Sequence, residues 1–144
     1  MQVTSEDNRV TCIVQVSHSK SVMMKAKTKA APLRRSPCAV ACTLDLVGDK
    51  WSLLVIRDLL QGCVTYGELQ NSRERIPTNI LADRLKKLEE ARLISKSAYQ
   101  EHPVRYNYAL TAQGESLKDV LRAIVQWGKE NIPGTVALSR RTAP

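Results

Sequence analysis

The sequence contains no apolar run long enough to cross a bilayer, which excludes a helical membrane span. Its first residues lack an apolar segment followed by a small-residue cleavage site, so no secretory signal is read and the expected location is the cytoplasm. The four cysteines, Cys12, Cys38, Cys42 and Cys63, include no C-x-x-C pair, which argues against a zinc site. A reducing compartment keeps such residues as thiols. The two histidines, His18 and His102, are too few and too scattered to build a metal centre. There is no glycine-rich phosphate loop, nucleophile elbow or paired-acid motif, so the chain is expected to be no enzyme and to carry no cofactor.

What is present is positive charge. The 144 residues suffice for one domain with a core, and their formal net charge of +8 suggests a polyanionic partner. The charge is uneven. Residues 1–36 read as a basic, disordered tail carrying Arg9, Lys20, Lys25, Lys27, Lys29, Arg34 and Arg35 against Glu6 and Asp7. Within it, Cys12–Val16 alternates weakly like a strand, and Met23 and Met24 offer alternative starts. Its basic run is read either as a phosphate-touching arm or as a solubilising tail. Residues 135–144 form a second tail with Arg140 and Arg141. Between them, residues 37–134 are only slightly basic, so the placement of charge there matters more than its sum.

That central segment reads as a succession of short helices and one hairpin. Ser36-Pro37 predicts a cap and first turn for a helix over Cys38–Val47, with Val40, Ala41, Leu44 and Val47 on one face and Gly48 ending it in the left-handed conformation. Asp49 is expected to cap a second helix, Lys50–Leu60, apolar nearly all round and therefore central. Gln61–Val64 offers a short strand. Thr65 and Glu68 form a capping box opening Tyr66–Ser72, with Tyr66, Leu69 and Gln70 inward. Pro77–Ile94 then places Leu81, Leu85 and Leu88 on one line, flanked by Ile80. Thr78, Asn79, Ala82, Asp83 and Lys86 fall on the opposite side. Two short helices joined by a tight turn, the second amphipathic and polar at its start, make a helix-turn-helix. Ile94–Gln100 and Arg105–Leu110 read as strands around a Glu101–Val104 turn, which is a wing. Thr111 caps a last helix to about Asn131, with an apolar stripe of Leu117, Val120, Leu121, Ile124, Val125 and Trp127. Part of that stripe is expected to meet a second subunit, because two half-sites are read best by a two-fold dimer. The expected fold is therefore mainly α with a small β-hairpin, a winged helix-turn-helix.

The side chains of the Pro77–Ile94 helix supply the chemistry that reads base edges in a major groove. Thr78, Asn79 and Asp83 are candidates for bases, and Lys86 for a base or a phosphate. Arg73, Arg75, Lys96, His102 and Arg105 are candidates for phosphates. The alternative is an ordinary solvated helix face. Arg84 lies nearer the core and is expected in an ion pair. Asp45, Asp49 and Asp58 are expected to cap and pair. Trp51 and Trp127 are expected in the core. Cys38, at a helix N-terminus where the dipole favours thiolate, is either a reactive thiol or a small packing residue; Cys63 is read as packing.

The residues Cys38-Ala39-Val40, Leu44–Trp51, Ile56–Leu59, Tyr66–Leu69, Ile80–Glu89 and Tyr106–Gly114 resemble the HxlR-type family of winged helix-turn-helix transcriptional regulators, relatives of the MarR group. The resemblance spans roughly residues 38–130. It implies a bacterial cytoplasmic homodimer, joined through its first and last helices, that binds a pseudo-palindromic operator in double-stranded DNA. Cys38 matches the position at which several members sense oxidants or electrophiles, and a small-molecule effector at the dimer interface is the other option. One departure is Pro77, where the family commonly has a serine before the proline. A rival from a different class is a winged-helix module that binds protein, against which the basic residues around the Pro77–Ile94 helix argue.

Overall fold

The computed structural model describes residues 36–137; residues 1–35 and 138–144, with the readings made for them, lie outside that range. Six helices and one hairpin follow in the order α1 (Ala39–Val47), α2 (Ser52–Leu60), α3 (Tyr66–Gln70), α4 (Thr78–Glu90), β1 (Ile94–Glu101), β2 (Val104–Leu110), α5 (Ala112–Glu115) and α6 (Leu117–Asn131). The core gathers around α2 and α4, with Val55, Ile56, Leu69, Leu81, Leu85, Leu88, Leu93 and Ile94 all buried. Each such side chain contributes about 1.5–3 kcal/mol by leaving water.

Local chemistry sets most of the boundaries. Asp49 accepts the N–H groups of Trp51 (2.9 Å) and Ser52 (3.1 Å), so it does cap α2, although regular helix starts only at Ser52. The Thr65–Glu68 capping box forms, and Glu68 also accepts from Val64 N. The segment before α3 does not become a strand. It contributes one bridge, Thr65 to Asn107, and a bond from Tyr108 N to Val64 O, which dock it on the wing. The hairpin is antiparallel, with Ile94 opposite Leu110 and Glu101 opposite Val104, so the turn shrinks to His102-Pro103.

Several expectations are corrected. The cap of α1 is Cys38 rather than Ser36, whose hydroxyl accepts from Cys38 N at 3.1 Å instead. Gly48 is not left-handed (φ −79°). A side chain there would strike the Leu44 carbonyl, to which Gly48 N donates, and that close approach accounts for the glycine. Gln70 is exposed rather than inward. The helix predicted to run to Ile94 stops at Glu90. Arg92 takes a left-handed φ of 58°, Leu93 N bonds Leu88 O, and Arg92 N bonds Glu89 O. This is a Schellman closure built on arginine instead of glycine, sealed by the burial of Leu88 and Leu93. The predicted last helix is broken at Ser116 into α5 and α6. Thr111 caps α5 and its hydroxyl also bonds Arg92 O (2.7 Å), latching the wing to the end of α4. Trp127 is 60% exposed and no part of the core, whereas Trp51 packs partly against it.

Candidate nucleic-acid interface

The α3–turn–α4 unit presents α4 with two unlike faces. Leu81, Leu85 and Leu88 are buried, while Thr78, Asn79, Ala82, Asp83 and Lys86 are exposed. The hydroxyl of Tyr66 on α3 donates to the Thr78 carbonyl at 2.8 Å, fixing the entry of α4. Pro77 caps without a side-chain bond, so the first N–H groups of α4 are left facing outward. Asp83 is held by Arg84 (2.6 Å) and Lys87 (3.3 Å). The Lys87 ammonium, with Arg84, keeps its carboxyl below the usual range. Lys86 approaches Glu90 only at 4.0 Å and stays exposed. Arg84 is not free to read bases. It bridges Asp83 to Asp49 (3.0 Å) and so ties α4 to the start of α2, as its position near the core suggested. Partial burial pushes Asp49 up, but bonds from Ser52, Trp51 N and Arg84 outweigh it and leave the carboxyl low.

The turn before α4 is anchored by a network that sequence reasoning did not find. Arg57 of α2 grips Glu74 with two bonds, Nη1–Oε1 at 2.7 Å and Nη2–Oε2 at 2.6 Å, and also donates to Asp58. The Glu74 bond, helped by Asp58, raises the Arg57 guanidinium further above its usual value, and Arg57 holds Glu74 low. Burial pushes Asp58 up despite its neighbour. Asp58 therefore pairs, as expected. The one hint in the sequence was Glu74 standing between Arg73 and Arg75. With Glu74 pulled inward, Arg73 and Arg75 on either side are exposed, Arg75 in a left-handed conformation with φ 49°.

The phosphate candidates divide into two groups. Arg73 and Arg75 flank the start of α4; His102 and Arg105 are exposed at the far end of the wing. Lys96 belongs to neither, because its ammonium bonds Glu89 at 2.9 Å and lies over the Tyr106 ring. The Glu89 carboxylate holds that lysine above its ordinary pKa. Cys38 is exposed at the N-cap of α1; Cys42, one turn on, donates its thiol to Ser36 O at 3.2 Å.

Comparison with known proteins places these elements among regulators. The family pattern described as HxlR-like helix-turn-helix matches residues 46–135. The HTH-type transcriptional regulator YkvN of Bacillus subtilis, itself uncharacterised, is 32% identical over 96 residues, covering 67% of this chain and 81% of that protein. Among solved structures, the reduced form of the transcriptional regulator YodB from B. subtilis is 26% identical with a TM-score of 0.58, over 70% of this chain and 100% of the other. The redox regulator HypR in its oxidised form is 26% identical with a TM-score of 0.59, over 65% and 97%.

Proposed function

The chain belongs to the HxlR-like helix-turn-helix family and is a DNA-binding transcriptional regulator, and on that premise we propose how it reads DNA and what it responds to. Residues 37–134 act as the winged helix-turn-helix unit, flanked by the tails 1–36 and 135–144. Two copies bind a pseudo-palindromic operator, each inserting α4 into a major groove. Thr78, Asn79 and Asp83 contact bases, with asparagine suited to adenine and the carboxylate to a cytosine amino group. Lys86 contacts a base or phosphate, and Arg73, Arg75, His102 and Arg105 contact phosphates. Lys96 joins them only by leaving Glu89. The observation that carries this reading is the exposed polar face of α4 opposite its buried leucines.

Dimerisation is proposed through α1 and α6, which leave Val40, Leu44, Ile124 and Trp127 exposed, side chains a lone domain gains nothing by hydrating. The effector is an oxidant acting at Cys38. Two thiols, Cys38 and the partner's Cys38, would join as a disulfide, giving up two electrons and two protons to an added diamide or quinone. Its exposure at a helix N-terminus supports this, as does likeness to a redox regulator. Among the described residues no helix is long and apolar enough to cross a membrane.

The test is selection of bound sequences from a random DNA pool, followed by the double variant Asn79→Ala and Lys86→Ala. Operator binding is lost while sedimentation still shows the same assembly. Undiminished binding by the double variant removes α4 from the reading role.

A further inference from the structure

Asp83 stands on the exposed face of α4, yet two cations hold it. Arg84 Nη2 donates to its Oδ2 at 2.6 Å, and Lys87 Nζ lies 3.3 Å from the same oxygen. Neither takes Oδ1. Arg84 reaches further. Its Nη1 meets Asp49 Oδ2 at 3.0 Å, so one guanidinium forks between two carboxylates. Asp49 is fixed in turn. Its Oδ1 accepts from Trp51 N and Ser52 N, and its Oδ2 accepts from the Ser52 hydroxyl. Ser52 is buried. A continuous run of contacts therefore leads from a buried serine, through Asp49 and Arg84, to a carboxylate on the face offered to DNA.

The middle of that run is enclosed. The Arg84 side chain is 17% exposed, and its Nε is buried without a partner, which leaves the guanidinium little room to swing toward a phosphate. A lone exposed aspartate turns among several rotamers, and the DNA phosphates repel it. A carboxylate pinned through one oxygen, beside two cations that offset its charge, presents the other oxygen as a fixed acceptor. In a major groove a pure acceptor fits the amino group of cytosine.

We propose that Asp49 and Arg84 are positioning residues for sequence recognition, which aim Asp83 at one cytosine in each half-site. This rests on the reading role given to α4 above. Neither residue touches DNA. Breaking their pair relaxes the preference at that one base and leaves the other positions alone. Loss of a phosphate contact instead weakens binding to all sequences evenly and lowers the salt dependence.

The experiment is selection from a random DNA pool by the full chain, by Asp83→Asn and by Asp49→Asn, with a salt titration of each. Asp49→Asn keeps the α2 cap, since asparagine caps as well as aspartate, but removes the charge facing Arg84. The parent prefers cytosine by about tenfold at one position of each half-site, the discrimination of one charge-assisted bond. Asp83→Asn moves that position toward adenine. Asp49→Asn flattens the same position, with the rest of the site and the salt slope unchanged. Even weakening of all sequences by Asp49→Asn, or a cytosine preference it leaves intact, reduces the pair to a structural tie and overturns the proposal. So does an Asp83→Asn variant that alters no position. Should Asp49→Asn fail to fold by circular dichroism, Arg84→Lys, which keeps the charge but not the fork, is read against the same outcomes. A parent that selects no sequence at all sinks the reading role of α4 itself, whereas the other failures leave that role to Thr78 and Asn79.

Discussion

Glutamine in place of Glu74 probes the link between the core and the turn that presents α4. The substitution keeps the shape and one acceptor oxygen but removes the charge and one of the two bonds from Arg57. A net bond between charged groups contributes about 1.5–3 kcal/mol. The two side chains are only 21% and 26% exposed, so solvent screens the pair partially rather than fully. Arg57 keeps Asp58 as a partner, which limits the damage. The expected loss is therefore about 2 kcal/mol, or about 10 °C in melting temperature for a domain of this size. The assay is thermal unfolding followed by circular dichroism at fixed protein concentration, for both chains, from pH 7 downward. Arg57 depresses the folded-state pKa of Glu74. Its stabilisation is thus fully present above the ordinary glutamate value of about 4.3 and disappears as pH falls through the lower folded value. The gap between the chains should close over that acidic window. Asp58, raised by burial, titrates in both chains and largely cancels from the difference. A melting point within about 2 °C of the parent at pH 7, or a gap that widens on acidification, refutes the reasoning.

Two further outcomes bear on assembly and response. Ile124→Glu, at a position 47% exposed on α6, should leave the far-ultraviolet spectrum intact but convert a dimer to monomer in analytical ultracentrifugation; an unchanged sedimentation coefficient places the interface elsewhere. Cys38→Ser should leave DNA affinity in reductant unaltered and abolish release from DNA by diamide, whereas a persisting diamide response returns Cys38 to a packing role.

Much of this architecture was legible because it is encoded locally. The spacing of Leu81, Leu85 and Leu88 defines both faces of α4 wherever the helix docks, since 3.6-residue periodicity is a property of the segment alone. The Thr65–Glu68 box, the Asp49 cap and the Ile94–Leu110 hairpin likewise depend on neighbours a few residues away. The polar set Thr78, Asn79, Asp83 and Lys86 followed directly from that periodicity. The family likeness then makes double-stranded DNA the partner proposed for that set.

Tertiary structure decided what depends on residues distant in sequence. Arg57 and Glu74 are 17 positions apart, so no local pattern announces their bridge or the outward display of Arg73 and Arg75. The early end of α4 uses an arginine where glycine is the readable signal, stable because Leu93 must be buried and Thr111 bonds the turn. Sequence alone fixes which faces a segment has, because side-chain direction follows backbone period. Which groups meet across those faces is set by packing, because contact is a property of the closed chain.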